Sequence, residues 1–227
     1  MHIPDGFIDA GTSAAAGVVA VGGLAVGLRR ASDSLEEREA PLAGLVAAYV
    51  FAVQMLNFPV ASGTSGHLLG GALAAVLVGP WVGSLCVAVV LVVQALLFAD
   101  GGLSALGLNI TNLALVGTLV GYGAFLAARR VLPANAGGVT AASAVAGLVS
   151  VVAAALAFAL EYAIGGTAGV PAGTVAWAMV GVHVLIGIGE AAITALTVGA
   201  VLATRPDLVH GARHLARPAL RGAAAGR

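Results

Sequence analysis

The sequence predicts an all-α fold, a polytopic membrane helical bundle of about seven transmembrane helices, and three observations predict it. Sixty per cent of the 227 residues are hydrophobic and 9% are charged, with a mean hydropathy of +1.05; a soluble domain carries roughly 25% charged residues. Apolar stretches recur at about the length a bilayer core demands, roughly 20 residues each. The basic residues, ten arginines and no lysine, fall in a pattern that assigns sides to the bundle.

The first span, 10–28, has no basic leader before it, so it is expected to stay as a helix rather than be cleaved as a signal. The second covers 41–58. The third, 67–79, is short and meets the fourth, 80–98, at Gly79-Pro80. Proline favours a break there, so this pair reads as a tight hairpin or a partly re-entrant element. The remaining spans are 109–128, 139–164 and 174–204. Residues 1–204 then form one transmembrane domain opened by a segment 1–9, and 205–227 form an arginine-rich tail.

Arg29, Arg30 and Arg38 follow the first span, Arg129 and Arg130 the fifth, and Arg205, Arg213, Arg217, Arg221 and Arg227 the seventh. With the N-terminus outside, seven crossings and the C-terminus cytoplasmic, all ten obey the positive-inside rule. The loops at 1–9, 59–66, 99–108 and 165–173 face outward. Glycine pairs at helix-packing spacing, such as Gly79/Gly83 and Gly117/Gly121, read as close helix contacts. Ser34 to Glu37 reads as a capping pattern in a solvated cytoplasmic connector.

Composition also excludes activities. Without lysine there is no phosphate-binding P-loop, so the chain does not hydrolyse ATP in that way itself. The single cysteine, Cys86, lies in an apolar run and offers neither a disulfide framework nor a thiolate metal site.

Chemistry concentrates in the outer loops. A free amine on Met1, the backbone amide of His2 and the His2 imidazole can wrap one ion in fused chelate rings, which suits Ni(II), Cu(II) or, less strictly, Co(II). Ile3 precedes Pro4 and favours an extended backbone. Asp5-Gly6 is a turn signal, and Phe7 and Ile8 can anchor the segment; a frayed tail is the bland alternative. The polar loop Ser62–Gly66 delivers His67 to the outer end of span three, either as a hydrogen-bonding group or as a fourth nitrogen ligand. Asp5, Asp100, Asn109 and His183 are candidates to cover the site or orient its ligands. Asn109 reads equally as the cap of span five. Glu161, His183 and Glu190 are deeper polar groups that pair inside the bundle or steady a cation. His210 and His214 read as solvated groups of the tail.

These segments resemble the CbiM/NikM family, the substrate-capture components of energy-coupling-factor transporters for cobalt and nickel. The resemblance lies in Met1-His2-Ile3-Pro4-Asp5-Gly6-Phe7, Ser65-Gly66-His67-Leu68-Leu69-Gly70-Gly71, Asp100-Gly101-Gly102 with Leu106-Gly107-Leu108-Asn109, and Gly187-Ile188-Gly189-Glu190 followed by Arg205-Pro206-Asp207. It implies Co(II) or Ni(II) as cargo with no organic cofactor, held by the Met1 amine, the His2 amide and imidazole and the His67 imidazole. It further implies a prokaryotic cell membrane and three kinds of partner: a membrane coupling subunit, two ATPase subunits and a separate small membrane subunit. Two other classes compete with this reading. One is a self-sufficient secondary metal transporter; the other is a metal-dependent membrane hydrolase using His183 and Glu190, against which stands the lack of a His-Glu-x-x-His helix.

Overall fold

A computed structural model describes residues 1–34, 40–59, 65–213 and 215. Its helices, in chain order, are α1 (Ala10–Ser34), α2 (Ala40–Gln54), α3 (Gly71–Val78), α4 (Pro80–Leu97), α5 (Leu106–Arg129), α6 (Ala136–Gly165) and α7 (Ala172–Thr204). Five of them, α1, α4, α5, α6 and α7, are long and apolar enough to cross a membrane, and α2 is a shorter apolar helix. The all-α membrane bundle of the sequence reading is therefore the fold observed.

Three local departures matter for the site. The second span ends early: α2 stops at Gln54, and Asn57–Pro59 pairs antiparallel with Ser65–His67 as a two-stranded ribbon, β1 and β2. The capping pattern from Ser34 to Glu37 and the loop 60–64 lie outside the described residues. The third span is a helix of only eight residues, about 12 Å long at 1.5 Å per residue, which falls short of a bilayer core of about 30 Å. Its residues from Gly71 to Leu77 are all buried. Irregular backbone at membrane depth is tolerated when protein, not lipid, surrounds it. The fifth element begins at Leu106 and carries a π-helical stretch, Ile110–Val116, of the kind that often marks functional positions.

Small residues permit the close approaches that hold these helices together. A Cβ on Gly83 would lie 2.9 Å from the Ala74 carbonyl carbon, and one on Gly71 3.1 Å from the Gly117 backbone. α6 and α7 form a long antiparallel hairpin in which Gly147 meets the Glu190 and Ala191 backbone. Lipid offers no hydrophobic drive between helices, so contact of this closeness supplies the attraction.

The bundle has two distinct ends. Residues 1–9, the β1–β2 ribbon, the α4–α5 loop and the α6–α7 loop share one, where Ile8 bridges Gly166. Arg30, Arg213, Tyr122 and His210 line a cavity beside Gly79 at the other, where α5 and α7 end in Arg129 and Thr204. His210 is not merely solvated: a Cβ on Gly79 would lie 3.1 Å from its ring, and the ring tilts against Tyr122. Val209 and Ala212 beside it are fully buried. His214 lies outside the described residues.

Candidate metal centre

The N-terminal segment is built into the protein rather than frayed. Met1, His2 and Ile3 are 1%, 6% and 0% exposed. Ile3 is gripped on both backbone groups: its N–H donates to Asn109 Oδ1 at 2.7 Å, and its carbonyl accepts from Asn109 Nδ2 at 3.1 Å and from the Gly102 N–H at 2.9 Å. Asn109 therefore does not cap α5. It lies within the helix and pins the segment. Asp5 closes the next turn by accepting from the Ser104 N–H at 2.7 Å and from its hydroxyl at 2.6 Å.

Phe7 packs its ring against Phe158 and Tyr162, at centroid separations of 5.9 and 5.0 Å. The Asp9 N–H donates to the Gly165 carbonyl at 2.7 Å, and its carboxylate caps α1 by accepting from the Thr12 N–H at 2.8 Å. The segment thus runs extended, turns, and enters α1 while tied to two loops far away in sequence.

The same loops bring the imidazoles together. The His2 and His67 rings stack with centroids 4.6 Å apart. His67 donates from Nδ1 to the Leu68 carbonyl at 2.8 Å; because a carbonyl only accepts, Nε2 carries the free lone pair. The loop that carries His67 is clamped from two helices. Glu190 of α7 accepts from the Leu69 N–H at 2.9 Å and the Gly70 N–H at 2.7 Å, while Gln54 of α2 donates to the Leu69 carbonyl at 2.6 Å. Gly70 needs its left-handed backbone, φ 72°, to make that turn. Glu190 therefore pairs with backbone at the N-terminus of α3 and not with His183. Glu161 accepts a hydrogen bond from Asn112 instead of joining either.

Asp100 Oδ2 lies 3.6 Å from His2 Nε2, too far for a hydrogen bond but close enough to orient the ring electrostatically. Ala99 precedes it at φ 51°, a left-handed conformation that costs a non-glycine residue about 1–2 kcal/mol and turns the chain off α4.

Burial dominates the electrostatics. It pushes the Met1 amine down from 8.0 to about 4, against a smaller pull upward from Asp100. It likewise pushes His2 down from 6.5 to about 3, and the nearby amine charge adds to that. Amine and imidazole are consequently neutral at pH 7 and offer lone pairs. His67 Nε2 and His183 Nε2 are buried without a protein partner and keep lone pairs to offer, while the equally unpartnered His2 Nε2 and Asp100 Oδ2 face each other. Among the described residues no three His, Cys, Asp or Glu side chains converge as a ligand set. An ion held here would depend on main-chain nitrogen from residues 1 and 2.

The structure brings together Met1, His2, His67, Asp100 and Asn109, with Asp5 latching the cover. Gln54 and the backbone clamp of Glu190 were missed by the sequence reading. A polar side chain inside an apolar segment was the available signal.

Comparison with known proteins gives consistent matches. A family profile described as "CbiM: Cobalt uptake substrate-specific transmembrane region" matches residues 2–208. A Haloquadratum walsbyi protein with a provisional metal-transport name is 42% identical over 92% of this chain and 93% of its own. The cobalt transport protein CbiM of Sorangium cellulosum is 34% identical over 92% of this chain and 94% of its own. A crystal structure of a truncated transition metal transporter superposes with a TM-score of 0.82 at 34% identity, covering 89% of this chain and 99% of that one.

Proposed function

The chain belongs to the CbiM family and is a membrane component of cobalt or nickel uptake, and from that premise we propose that it captures Co(II) or Ni(II) through the Met1 amine, the His2 amide and imidazole, and His67 Nε2. The observation that carries this reading is the buried, neutral Met1 amine and the stacked His2 and His67 rings, with His67 Nε2 left without a protein partner. Fused chelation uses Nδ1 of His2, which leaves Nε2–H to point at Asp100. A carboxylate in that position fixes the tautomer and raises ligand basicity. Stacked rings present faces rather than nitrogen edges to one another, so seating an ion turns the His2 ring toward the plane of the amine and amide.

Binding displaces protons from the donors. The resulting four-nitrogen plane suits either metal, and its affinity order does not decide which one a cell imports. The arginine end of the bundle faces the cytoplasm in this proposal, by the positive-inside rule, and the metal end faces outward in a prokaryotic cell membrane. ATP hydrolysis belongs to partners: a membrane coupling subunit, two ATPase subunits and a separate small membrane subunit. The absence of lysine supports that division of labour.

Acetylating the N-terminus, or extending it by one residue, leaves every side chain intact. Calorimetric titration with Ni(II) and Co(II) should then show a loss of binding as large as that of His2→Ala or His67→Ala. Undiminished binding by the blocked protein overturns the chelate.

A further inference from the structure

Two imidazoles serve the capture site, and a third, on α7, has no assigned task. His183 of α7 is fully buried. Its Nδ1–H donates to the Met179 carbonyl at 2.7 Å, so the ring is pinned and Nε2 keeps its lone pair. That nitrogen has no protein partner. α7 starts at the metal end, just after the loop that bridges Ile8. Helical side chains lean toward the helix N-terminus, so His183 leans toward the pocket. α7 packs against β2, the strand that ends in His67, and its Glu190 reaches the Leu69 and Gly70 N–H groups just beyond it.

We propose that His183 Nε2 is a second, inner station for the transported ion, binding it together with His67 after it leaves the amine–amide chelate. The proposal rests on the capture reading above. His183 is not a further ligand of the outer plane, since no three such side chains among the described residues converge on one point. His67 is the ligand common to both positions: a turn of its ring about the Nδ1–H bond to the Leu68 carbonyl carries Nε2 from one to the other. The transfer is a ligand exchange without change of oxidation state: the His183 nitrogen and water replace the amine, the amide and the His2 imidazole, and the released amide regains its proton from water. Glu190, seven residues further along the same face of α7, is fully engaged by the Leu69 and Gly70 N–H groups. It therefore closes the way further in, so the inner position holds the ion rather than passing it on in this conformation.

The probe is Co(II) alone, added to the purified full-length chain in detergent, because its visible absorption reports coordination geometry. N-terminal acetylation removes the outer chelate. The acetylated parent should keep a weaker, non-planar Co(II) site that falls by about tenfold or more in acetylated His183→Gln. The glutamine amide can still donate to the Met179 carbonyl, so its unfolding midpoint should match the parent. A residual site unchanged by His183→Gln, or no residual site in the acetylated parent, overturns the inner station.

Proton NMR of the acetylated, Co(II)-loaded parent gives an answer that needs no variant. Two hyperfine-shifted ring N–H signals, from His67 and His183, support the proposal, and one alone refutes it. Planar binding that survives acetylation would instead overturn the outer chelate, and is distinguished by its absorption.

Discussion

Replacing Gly102 with alanine should disable metal capture without altering any proposed ligand. A Cβ at residue 102 would lie 2.3 Å from the Asp5 nitrogen and 2.7 Å from the Pro4 carbonyl carbon. Both are backbone atoms and cannot rotate away. Ordinary contact begins at 3.4 Å, so the N-terminal strand must retreat by the difference, about 1.1 Å. The three hydrogen bonds on Ile3, now 2.7, 2.9 and 3.1 Å, would stretch past the usual limit of about 3.2 Å. At about 1 kcal/mol each their loss costs about 3 kcal/mol, which lowers the seated population and the apparent affinity by about 10²-fold. Titration against a competing chelator reads this directly for Ni(II) and Co(II). Gly22→Ala, on an open helix face, serves as the neutral control. Affinity of Gly102→Ala within about threefold of the parent would refute the reasoning.

Affinity should also fall with acid. The buried amine and His2 have values of about 4 and 3, below 8.0 and 6.5, so a released terminus takes up protons that a seated one refuses. Seating is therefore complete above pH 8.0 and weakens below it, by about tenfold per pH unit for the amine, with His2 adding its share below 6.5. Constant affinity from pH 8.0 down to 6.5 would contradict this. Glu190→Ala should leave the Leu69 and Gly70 N–H groups unpaired at about 1–3 kcal/mol each, lowering the unfolding midpoint and weakening metal binding together. A midpoint equal to the parent's would show that the clamp does not hold the His67 loop.

The sequence made the bundle legible because lipid imposes a simple demand: every long apolar run must close its own backbone bonds, and arginine marks one side. It made the proposed chelate legible because Met1 and His2 are adjacent, so their geometry is local. Other features depended on tertiary partners. The third span's eight residues could not be told from a full crossing, since what permits the shortfall is burial of Gly71–Leu77 by the surrounding helices. Asn109 looked like a cap because a polar residue stood near the expected start of a helix; the start lies at Leu106, which frees its amide for Ile3. Glu190 suggested a partner of opposite kind on its own face, and its real partners are main-chain groups more than a hundred residues away.

The ties on the N-terminal segment have a consequence for biogenesis. Ile3 is held by Asn109 and Gly102, Ile8 by Gly166, and the loop beneath His2 by Glu190. Residues 1–8 are made well before these anchors and are thus among the last to find their place, since Glu190 emerges only when the final helix is under way. Synthesis proceeds at about 5–20 residues per second, so the tip waits for seconds while its anchors are still being made. On the proposed capture reading, ion loading then reports completed assembly: a chain that misplaces any one of these three loops has no place to seat residues 1–8.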